Sequence, residues 1–480
     1  MIRKALGVVA VLILVLTGTG WWQVYRAVGG ITVSGALGAL GISAPQSSAG
    51  QMNILLIGLD SRKDQKGDDL PQELLDKLHA GDSGSGGYNT NTLILVHVSA
   101  DDRVTAFSIP RDDYVDVDGI VPGYSKAKIK EAYGLTKADA ENTLVNEGVG
   151  DQETLESKGR EAGRAATLKA VQRLTGAPID YFAEVNLAGF YDLADSLGGV
   201  QVCLNSAVSD DYSGARFPAG TQTLNAAQAL QFVRQRHGLD NGDLDRTHRQ
   251  QAFLISVLHQ LQDSGSLTDL RKLQSLIAVA HKDIVLSDGW GEDLFRRIAG
   301  LAGAPVEFRT LPVLRYDNVD GEDVNVIDAA AIKTQVAAAF GNGQGALPDF
   351  TAVATSTVDV INAGSTPGLA ATVADTLRSN GFTVGDVRNA TAQDPTDTAV
   401  DGGSGTIGDI HTVSDLVGIA AAPPPNDAVM AGHIRIVLGA DYAPPAPVAD
   451  SESTPAGAER ASGTPDPGKP IDNAQIPCVD

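Results

Sequence analysis

Arginine residues gather in three short segments of this chain, although its formal net charge is −23. The segments are S-I-P-R-D at 108–112, V-R-Q-R at 233–236 and D-L-D-R-T-H-R-Q-Q at 243–251. Their arginines are Arg111, Arg234, Arg236, Arg246 and Arg249. A guanidinium group presents a planar fork of donors that matches two phosphate oxygens at once. The three segments therefore predict a built anion site in an otherwise acidic protein.

The spacing of these residues predicts a pocket between a strand and a helix. If 232–236 is a strand, Arg234 and Arg236 project from the same face, because side chains alternate along a strand. In a helix over about 245–262, Arg246, Arg249 and Gln250 stand at i, i+3 and i+4 and share one face. A solvated helix face with Arg–Asp ion pairs explains any single arginine, but it explains the set less well. The set favours a site for a diphosphate.

Other side chains are weaker candidates for the same chemistry. Asp60 directly follows an apolar run at 53–58, where a carboxylate would hold Mg²⁺ against phosphate oxygens, although a turn residue is the commoner reading. Lys128 is either a further phosphate contact or surface charge. His237 and His248 stand near the arginines, but no spacing of His, Cys and carboxylates is typical of zinc. The sequence also lacks the G-x-S-x-G and G-x-x-x-x-G-K-[ST] motifs.

Composition limits the possible partners. The chain has 480 residues, of which 43% are hydrophobic and 20% charged, as is ordinary for globular domains. Its acidity argues against nucleic acid as a partner, since phosphate backbones attract a basic surface. Cys203 and Cys478 are too few for a disulfide framework or a cysteine zinc site. They either pair with each other, if the bulk of the chain is exported, or remain two unpaired thiols.

The N-terminus predicts a membrane anchor. Residues 5–25 carry no charge and are mostly apolar, which is long enough for one helix across a bilayer. Arg3 and Lys4 precede them, so we expect a cytoplasmic stub and anchor over 1–27, with everything else outside. A cleaved signal peptide is the alternative, but 20–22 (Gly-Trp-Trp) is bulky where cleavage needs small residues. We therefore expect a single-pass protein of the cell membrane whose bulk is extracytoplasmic.

Beyond the anchor, the patterns predict two α/β units. A linker rich in Gly, Ala, Ser and Thr is expected over 28–50. Strands alternating with helices then predict an α/β layer fold to about residue 345, with an exposed insertion over 130–159, where charge is high and apolar periodicity is missing. A smaller α/β unit is predicted over 352–442, with strands around 358–360 and 434–438 and a helix over 411–419. A disordered tail is predicted over 443–480.

Five segments together resemble the LytR-CpsA-Psr (LCP) family, and they occur in the family's order. They are N-I-L-L-I-G-L-D-S-R at 53–62, N-T-N-T-L-I-L-V-H-V at 89–98, A-L-Q-F-V-R-Q-R at 229–236, and the segments 108–112 and 243–251 given above. The unit at 352–442 resembles the LytR C-terminal domain. The resemblance implies an LCP catalytic domain over 51–345: a central β-sheet flanked by helices, with an apolar cleft.

This resemblance implies a phosphotransferase at the outer face of the cell membrane. Its members move a glycopolymer, arabinogalactan or a similar polysaccharide, from polyprenyl diphosphate onto a hydroxyl of peptidoglycan through a phosphodiester. Two alternatives stay open. One is a hydrolase of polyprenyl diphosphate (a pyrophosphatase), and the other is a non-catalytic protein that binds wall glycan.

The resemblance also assigns roles to residues of this chain. The diphosphate would be gripped by Arg111, Arg234, Arg236, Arg246 and Gln250, with Arg249 and Lys128 in support. Asp60 would bind Mg²⁺ together with Asn91, which stands where the family has an aspartate and therefore brings one charge fewer. Asp112 and Asp60 are the candidates for a base that deprotonates the acceptor hydroxyl.

Overall fold

The computed structural model describes two compact units, residues 1–344 with 459–480 and residues 345–458. Within them the described residues are 31–41, 47–65, 67–82, 87–235, 237–239, 242–263, 278–301, 304–341, 356–379, 382–404, 406, 410, 413–414, 417–419, 426, 428–442 and 465–480. The predicted anchor at 1–27 lies outside them. In the described ranges no helix has the length and hydrophobicity to cross a membrane.

Helices and strands alternate along most of the chain. The helices are α1 (Gln72–Lys77), α2 (Glu131–Asn146), α3 (Gln152–Thr175), α4 (Leu187–Ser196), α5 (Ala226–Arg234), α6 (Asp243–Asp263), α7 (Glu292–Gly300), α8 (Ala329–Ala339) and α9 (Leu369–Ser379). The strands are β1 (Thr32–Ser34), β2 (Met52–Asp60), β3 (Asn89–Val98), β4 (Val104–Ile109), β5 (Tyr114–Asp116), β6 (Lys126–Lys128), β7 (Tyr181–Asn186), β8 (Val200–Leu204), β9 (Val208–Asp210), β10 (Ala215–Phe217), β11 (Gly220–Leu224), β12 (Ile284–Ser287), β13 (Val306–Thr310), β14 (Arg315–Val319), β15 (Glu322–Val326), β16 (Thr357–Asn362), β17 (Thr383–Asn389), β18 (Ala399–Gly402), β19 (His433–Leu438), β20 (Ile471–Asp472) and β21 (Cys478–Val479).

A mixed eight-stranded sheet organises the first unit, in the order β1-β12-β7-β2-β3-β4-β13-β20. Its central strand β2 runs parallel to β7 and antiparallel to β3. A strand buried from both sides is apolar at nearly every position rather than at alternate ones, and β2 contains the uninterrupted run 54–57. The predicted mixed α/β class with a central sheet is confirmed.

Both faces of this sheet are covered by helices. Leu55 and Ile57 pack on one face with residues of α3 and α8 such as Leu168 and Ile332. On the other face, Ile54 packs in a core that includes residues of α4, α5 and α6. Successive side chains of β2 thus enter opposite cores, as the alternation of a strand requires. The face under α4, α5 and α6 is the one that carries the candidate site.

The segment 130–159, predicted as an exposed insertion, forms α2 and the start of α3. Residues 138–154 are largely exposed, but Lys137 and Glu156 on either side of them are buried and form ion pairs. Glu156 is 2% exposed and lies 2.9 Å from Lys137 Nζ and 2.6 Å from Arg160 Nε. The Tyr88 hydroxyl also donates to Glu156 (2.5 Å). A helix buried through ion pairs shows no apolar periodicity, so hydrophobic patterning cannot detect it.

Both predicted flexible segments contribute strands instead. In the expected linker, β1 pairs in parallel with β12, and the Ser34 hydroxyl donates to Glu161 (2.9 Å). In the expected disordered tail, residues 465–480 are ordered: β20 pairs with β13, and β21 pairs with β8. The second pairing places Cys478 beside Cys203, and the two form a disulfide. Strands of two or three residues are too short to show a periodic pattern in the sequence. They form only because strands distant in sequence pair with them.

The second unit is a four-stranded sheet in the order β17-β16-β19-β18, with α9 packed on it. Strand β16 runs parallel to β17 and β19. The strands predicted around 358–360 and 434–438 lie within β16 and β19. A helix predicted over 411–419 falls partly outside the described residues.

Removing the disulfide tests how strongly the tail stabilises the first unit. The bond closes a separation of 275 residues, and constraining so long a loop in the unfolded chain stabilises the fold by about 2–5 kcal/mol. We expect Cys203→Ser/Cys478→Ser to lower the free energy of unfolding by about that amount, measured by denaturant titration under oxidising conditions. Reductant should bring the wild type to the variant's midpoint and leave the variant unchanged. A wild-type midpoint that is insensitive to reductant would contradict a stabilising role.

Candidate active site

A cavity of about 400 Å³ opens between the central sheet and helices α4, α5 and α6. Most of its wall is apolar, as was predicted for a cleft beside the arginines. The apolar lining residues are Leu56, Ile94, Ala183, Val185, Leu187, Phe190, Leu193, Leu230, Val233, Phe253, Leu254 and Ile284. Aliphatic and aromatic side chains therefore enclose a space that suits a hydrocarbon chain.

Polar residues line the same cavity. Six of the residues predicted from the sequence are among them: Asp60, Asn91, Arg111, Arg234, Arg246 and Gln250. They come from the ends of β2, β3 and β4, the last turn of α5 and the first turns of α6. Three of the five predicted arginines thus meet at one cavity that also has an apolar wall.

A β-bulge aims Asn91 at the site. Gly58 pairs with Thr92 but Leu59 pairs with Thr90, so Asn91 is the extra residue of β3. An added residue of this kind bends the strand and redirects its side chain. Gly58 permits the close approach, since a Cβ there would lie 2.8 Å from Thr92 Cβ. The Asn91 amide then donates to Asp60 Oδ2 (2.8 Å) and accepts from Arg111 Nη1 (2.6 Å).

Asp243 holds two of the guanidinium groups together. Its carboxylate lies 3.1 Å from Arg111 Nε and 2.9 Å from Arg246 Nη2. Both arginines are buried, at 6% and 4% exposure, and buried cations are costly without such a partner. Burial lowers the pKa of Arg111, but the carboxylates of Asp243 and Asp112 outweigh that effect and raise it. Arg111 is therefore charged at every pH at which the protein is folded.

Asp112, a predicted base, is engaged by two cations. Its carboxylate is 3.3 Å from Arg111 Nε and 2.5 Å from Lys130 Nζ. Burial raises the pKa of Asp112, but the charges of Arg111 and Lys130 outweigh it and hold that pKa below its usual range. A carboxylate stabilised in this way is a weak proton acceptor. Its position favours a role in fixing Arg111 over the role of base.

Two further predicted residues, Lys128 and Arg249, do not line the cavity. Lys128 Nζ pairs with Glu322 (2.6 Å). Arg249 is fully buried and donates to the Gln235 side chain and to the main-chain carbonyl of Asp480. Arg236 lies outside the described residues. The strand predicted over 232–236 is wrong, because α5 continues to Arg234, and Arg234 is carried by the end of a helix.

The site offers limited oxygen ligands for a divalent cation. Asp60 Oδ1 is buried without a hydrogen-bond partner, which is the state expected of a cation ligand. Asn91, however, directs its amide nitrogen to Asp60 and its oxygen to Arg111. Within the described ranges no cluster of three His, Cys, Asp or Glu side chains is arranged to hold a metal. The residues fit a Mg²⁺ bound through Asp60 and completed by substrate phosphate oxygens, and in this arrangement Asn91 is not a free ligand.

Some residues of the site were missed from the sequence. Asp243 was considered only as an ion-pair partner of the arginines, and Lys130 was not considered as a partner of Asp112. Asp210 and Tyr212 line the cavity together with His237, which was considered only for zinc. The i, i+3 spacing of Asp243 and Arg246 is a signal for the first. For Asp210, Tyr212 and His237, only the folding of the β9–β10 hairpin brings the side chains to the cavity.

Comparison with known proteins identifies the family. The model of the LytR_cpsA_psr family matches residues 35–339, and that of the LytR cell envelope-related transcriptional attenuator matches residues 355–442. The chain is 38% identical over 407 residues to the cell wall biosynthesis protein LcpA of Corynebacterium glutamicum, covering 81% of this chain and 76% of that protein. The chain belongs to the LytR-CpsA-Psr family, and the family predicted from its motifs is confirmed.

Relatives of lower sequence identity include a named transferase and a solved structure. The polyisoprenyl-teichoic acid–peptidoglycan teichoic acid transferase TagU of Oceanobacillus iheyensis is 27% identical over 331 residues, covering 67% of this chain and 86% of that protein. Among solved structures, TagT bound to LIIa-WTA aligns with a TM-score of 0.40 at 20% identity, over 64% of this chain and 99% of that one. At that score we base no inference on the structural alignment.

Replacing the adjacent residues Asp112 and Asp113 by asparagine should change the thermal stability of the protein in opposite directions. Complete burial raises the pKa of Asp113 well above its usual value, although its carboxylate accepts from Asn325 (3.1 Å). A raised carboxyl pKa means that stability falls as pH rises from the unfolded-state value through the folded-state value. Asp113→Asn should therefore unfold at a higher temperature than the wild type, by a margin that grows from pH 5 to pH 8.

Asp112→Asn is the matched control for that prediction. A lowered carboxyl pKa contributes stability that is present above the unfolded-state value and lost as pH falls through the folded-state value. The variant also removes the carboxylate from Lys130 and leaves Arg111 with Asp243, so it should lose about 1–3 kcal/mol at pH 7. Thermal unfolding of both variants across this pH range decides the matter. Shifts of the same sign in both would show that the two carboxyls do not differ in this way.

Proposed function

We propose that this protein is a phosphotransferase that moves a glycopolymer from a polyprenyl diphosphate carrier onto a hydroxyl of peptidoglycan. The observation that carries the proposal is the composition of the cavity. Three guanidinium groups lie at a space most of whose wall is apolar. A polyprenyl diphosphate has the same two parts, a hydrocarbon chain and a multiply charged head. The family membership and the transferase name of the TagU relative support the same conclusion.

The proposed reaction is a displacement at phosphorus. The acceptor oxygen attacks the phosphorus that carries the sugar, and a new O–P bond forms. The bond between that phosphorus and the bridging oxygen breaks, and polyprenyl monophosphate leaves. Arg111, Arg234 and Arg246 would neutralise the charge that develops on the phosphate oxygens. Because ion pairs already hold Arg111 and Arg246 in place, their reorganisation costs little free energy as the reaction proceeds.

We further propose that Mg²⁺ takes part, bound through Asp60 and the substrate. When bound, it would add positive charge beside the diphosphate. The orphaned oxygen of Asp60 supports this proposal. The arginines bind and orient the diphosphate, and Asn91 keeps Arg111 aligned with Asp60.

Cellular placement and donor identity complete the proposal. We place the protein in the cell membrane, anchored by residues 1–27 with the catalytic unit outside. The Cys203–Cys478 disulfide supports export, because such bonds persist in oxidising compartments. We take the glycopolymer to be arabinogalactan-like, which rests on the resemblance alone.

Reconstitution tests the transfer. The full chain is placed in lipid nanodiscs with Mg²⁺, a synthetic polyprenyl-diphosphate oligosaccharide and soluble peptidoglycan fragments, and products are identified by mass spectrometry. The expected product is the oligosaccharide joined to a muropeptide by one phosphate. Arg111→Ala and Arg246→Ala should each lower kcat by about 10²–10³-fold, since each removes a fixed donor from the reacting phosphate.

Arg173→Ala is the control for these variants, because Arg173 forms a surface pair with Asp116 and should leave the rate unchanged. Formation of free oligosaccharide phosphate alone would show a hydrolase instead. Binding of the donor without turnover would show a glycan-binding protein.

The apolar wall makes a second prediction about the donor. Leu254 is half-buried and lines the cavity, so Leu254→Trp should fill space that the hydrocarbon chain needs. The KM for a long-chain donor should rise by about tenfold, which is the loss of about 1.4 kcal/mol of apolar contact. A donor with a short chain should show little change.

The control is Leu135→Trp, since Leu135 is half-buried on the opposite face of the sheet. Equal effects of Leu254→Trp on the KM of both donors would show that the hydrocarbon chain binds outside this cavity.

A further inference from the structure

His237 and Asp210 form a side-chain pair at the cavity. Both residues line it. The Nδ1 atom of His237 is buried, makes no hydrogen bond and lies 3.5 Å from Asp210 Oδ1. The His237 side chain is nevertheless 33% exposed. The ring therefore turns one nitrogen toward a carboxylate, and Nε2 is the nitrogen left toward the open space.

The Asp210 carboxylate is held rigidly. It is 3% exposed at the end of β9. The Tyr212 main-chain N–H donates to its Oδ1 (2.9 Å), and the Ser213 hydroxyl donates to its Oδ2 (2.7 Å). The turn of the β9–β10 hairpin thus fixes both oxygens, and one of them faces the imidazole.

Tyr212 restrains the orientation of the imidazole plane. Its ring stacks on His237 with centroids 4.0 Å apart and an angle of 25° between the planes. Tyr212 is itself 65% exposed, so the stacked pair lies where the cavity meets solvent. An acceptor arriving from outside would meet this pair first.

The pair also lies at the same corner as one of the arginines. Arg234, three residues before His237, donates to the carbonyl of Leu78 (2.9 Å). The neighbouring residue, His79, packs against the hairpin turn: a Cβ on Gly214 would lie 2.8 Å from its Nε2. One short segment after α1 therefore contacts both the hairpin that carries Asp210 and the arginine that lines the cavity.

We propose that His237 is the general base of the transfer reaction and that Asp210 is the positioning residue that orients it. This inference rests on the proposed function. Nε2 takes the proton of the acceptor hydroxyl while the hydroxyl oxygen forms its bond to the sugar-bearing phosphorus. The proton then passes to the polyprenyl phosphate that leaves, or to solvent. A carboxylate facing the second nitrogen stabilises the imidazolium that forms, and such pairs are often loose until substrate binds.

The other candidate bases are less available. Asp112 is held by Arg111 and Lys130. Asp60 Oδ2 accepts from Asn91, and Asp60 Oδ1 is the oxygen assigned above to a cation. The charged residues that line the cavity together with the imidazole are Asp60, Glu184, Asp210, Arg111, Arg234 and Arg246.

The test uses the reconstituted full chain and the same synthetic donor and acceptor. In His237→Gln, kcat should fall by about 10²–10⁴-fold, while the KM for the donor changes by less than about twofold. Log kcat of the wild type should fall on the acid side of neutrality, because a protonated imidazole accepts no proton. The variant should lack that limb. Asp210→Asn should lower kcat by about 10–100-fold, since an amide orients the ring but stabilises its charge poorly.

His248→Gln is the matched control. His248 is on α6, where its ring bonds the carbonyl of Pro467, and its variant should keep the wild-type rate and pH profile. A kcat of His237→Gln within about threefold of the wild type, with the acid limb intact, would overturn the inference. If that variant does not fold, as judged by thermal unfolding, the kcat of Asp210→Asn decides, and a value within about threefold of the wild type overturns the inference. Absence of linked product from the wild type would sink the proposed function and this inference together, whereas an undiminished variant sinks the inference alone.

Discussion

The Asp243 carboxylate lies between two buried guanidinium groups, and the rest of the site depends on that contact. Arg111 comes from the loop after β4 and Arg246 from the first turn of α6, so the carboxylate joins the central sheet to a helix that covers it. Two guanidinium groups so close together would repel each other and would be costly to bury without it. The contact thereby holds both guanidinium groups in a fixed geometry at the cavity.

Neighbouring side chains extend the same arrangement. Asp112 joins Arg111 to Lys130, and the Asn91 amide joins Arg111 to Asp60. Both links restrain Arg111, which lines the cavity. The donors therefore cost little free energy to orient when a substrate arrives, which is the condition under which charged groups contribute most to catalysis. A chain with a net charge of −23 thus keeps three arginines at one cavity, where fixed partners hold them.

The end of the chain supports this site from behind. Arg249 is on the same helix as Arg246 and Gln250, but it turns away from the cavity to Gln235 and the Asp480 carbonyl. Burial lowers the pKa of Arg249 to about 10, against the carboxylates of Asp245 and Asp480. Two residues before Asp480, the disulfide fastens β21 to β8. Arg249, which the motif predicted to contact the substrate, instead holds the C-terminal residues against α6, the helix that lines the cavity.

The sequence by itself determined the elements whose signals are local. The apolar run at 53–58 lies in β2, and Asn225 and Gln228 form a capping box at the start of α5. The i, i+4 spacing of Arg246 and Gln250 correctly predicted that both would face one cavity. Only the tertiary structure decided the rest. Helix α5 ends at Arg234 rather than turning into a strand, the ion pair of Lys137 with Glu156 joins α2 to α3, and Asp210 meets His237 through a hairpin fold. These features depend on residues that are separated in sequence and meet only in the folded chain. Local sequence patterns carry no signal for such contacts.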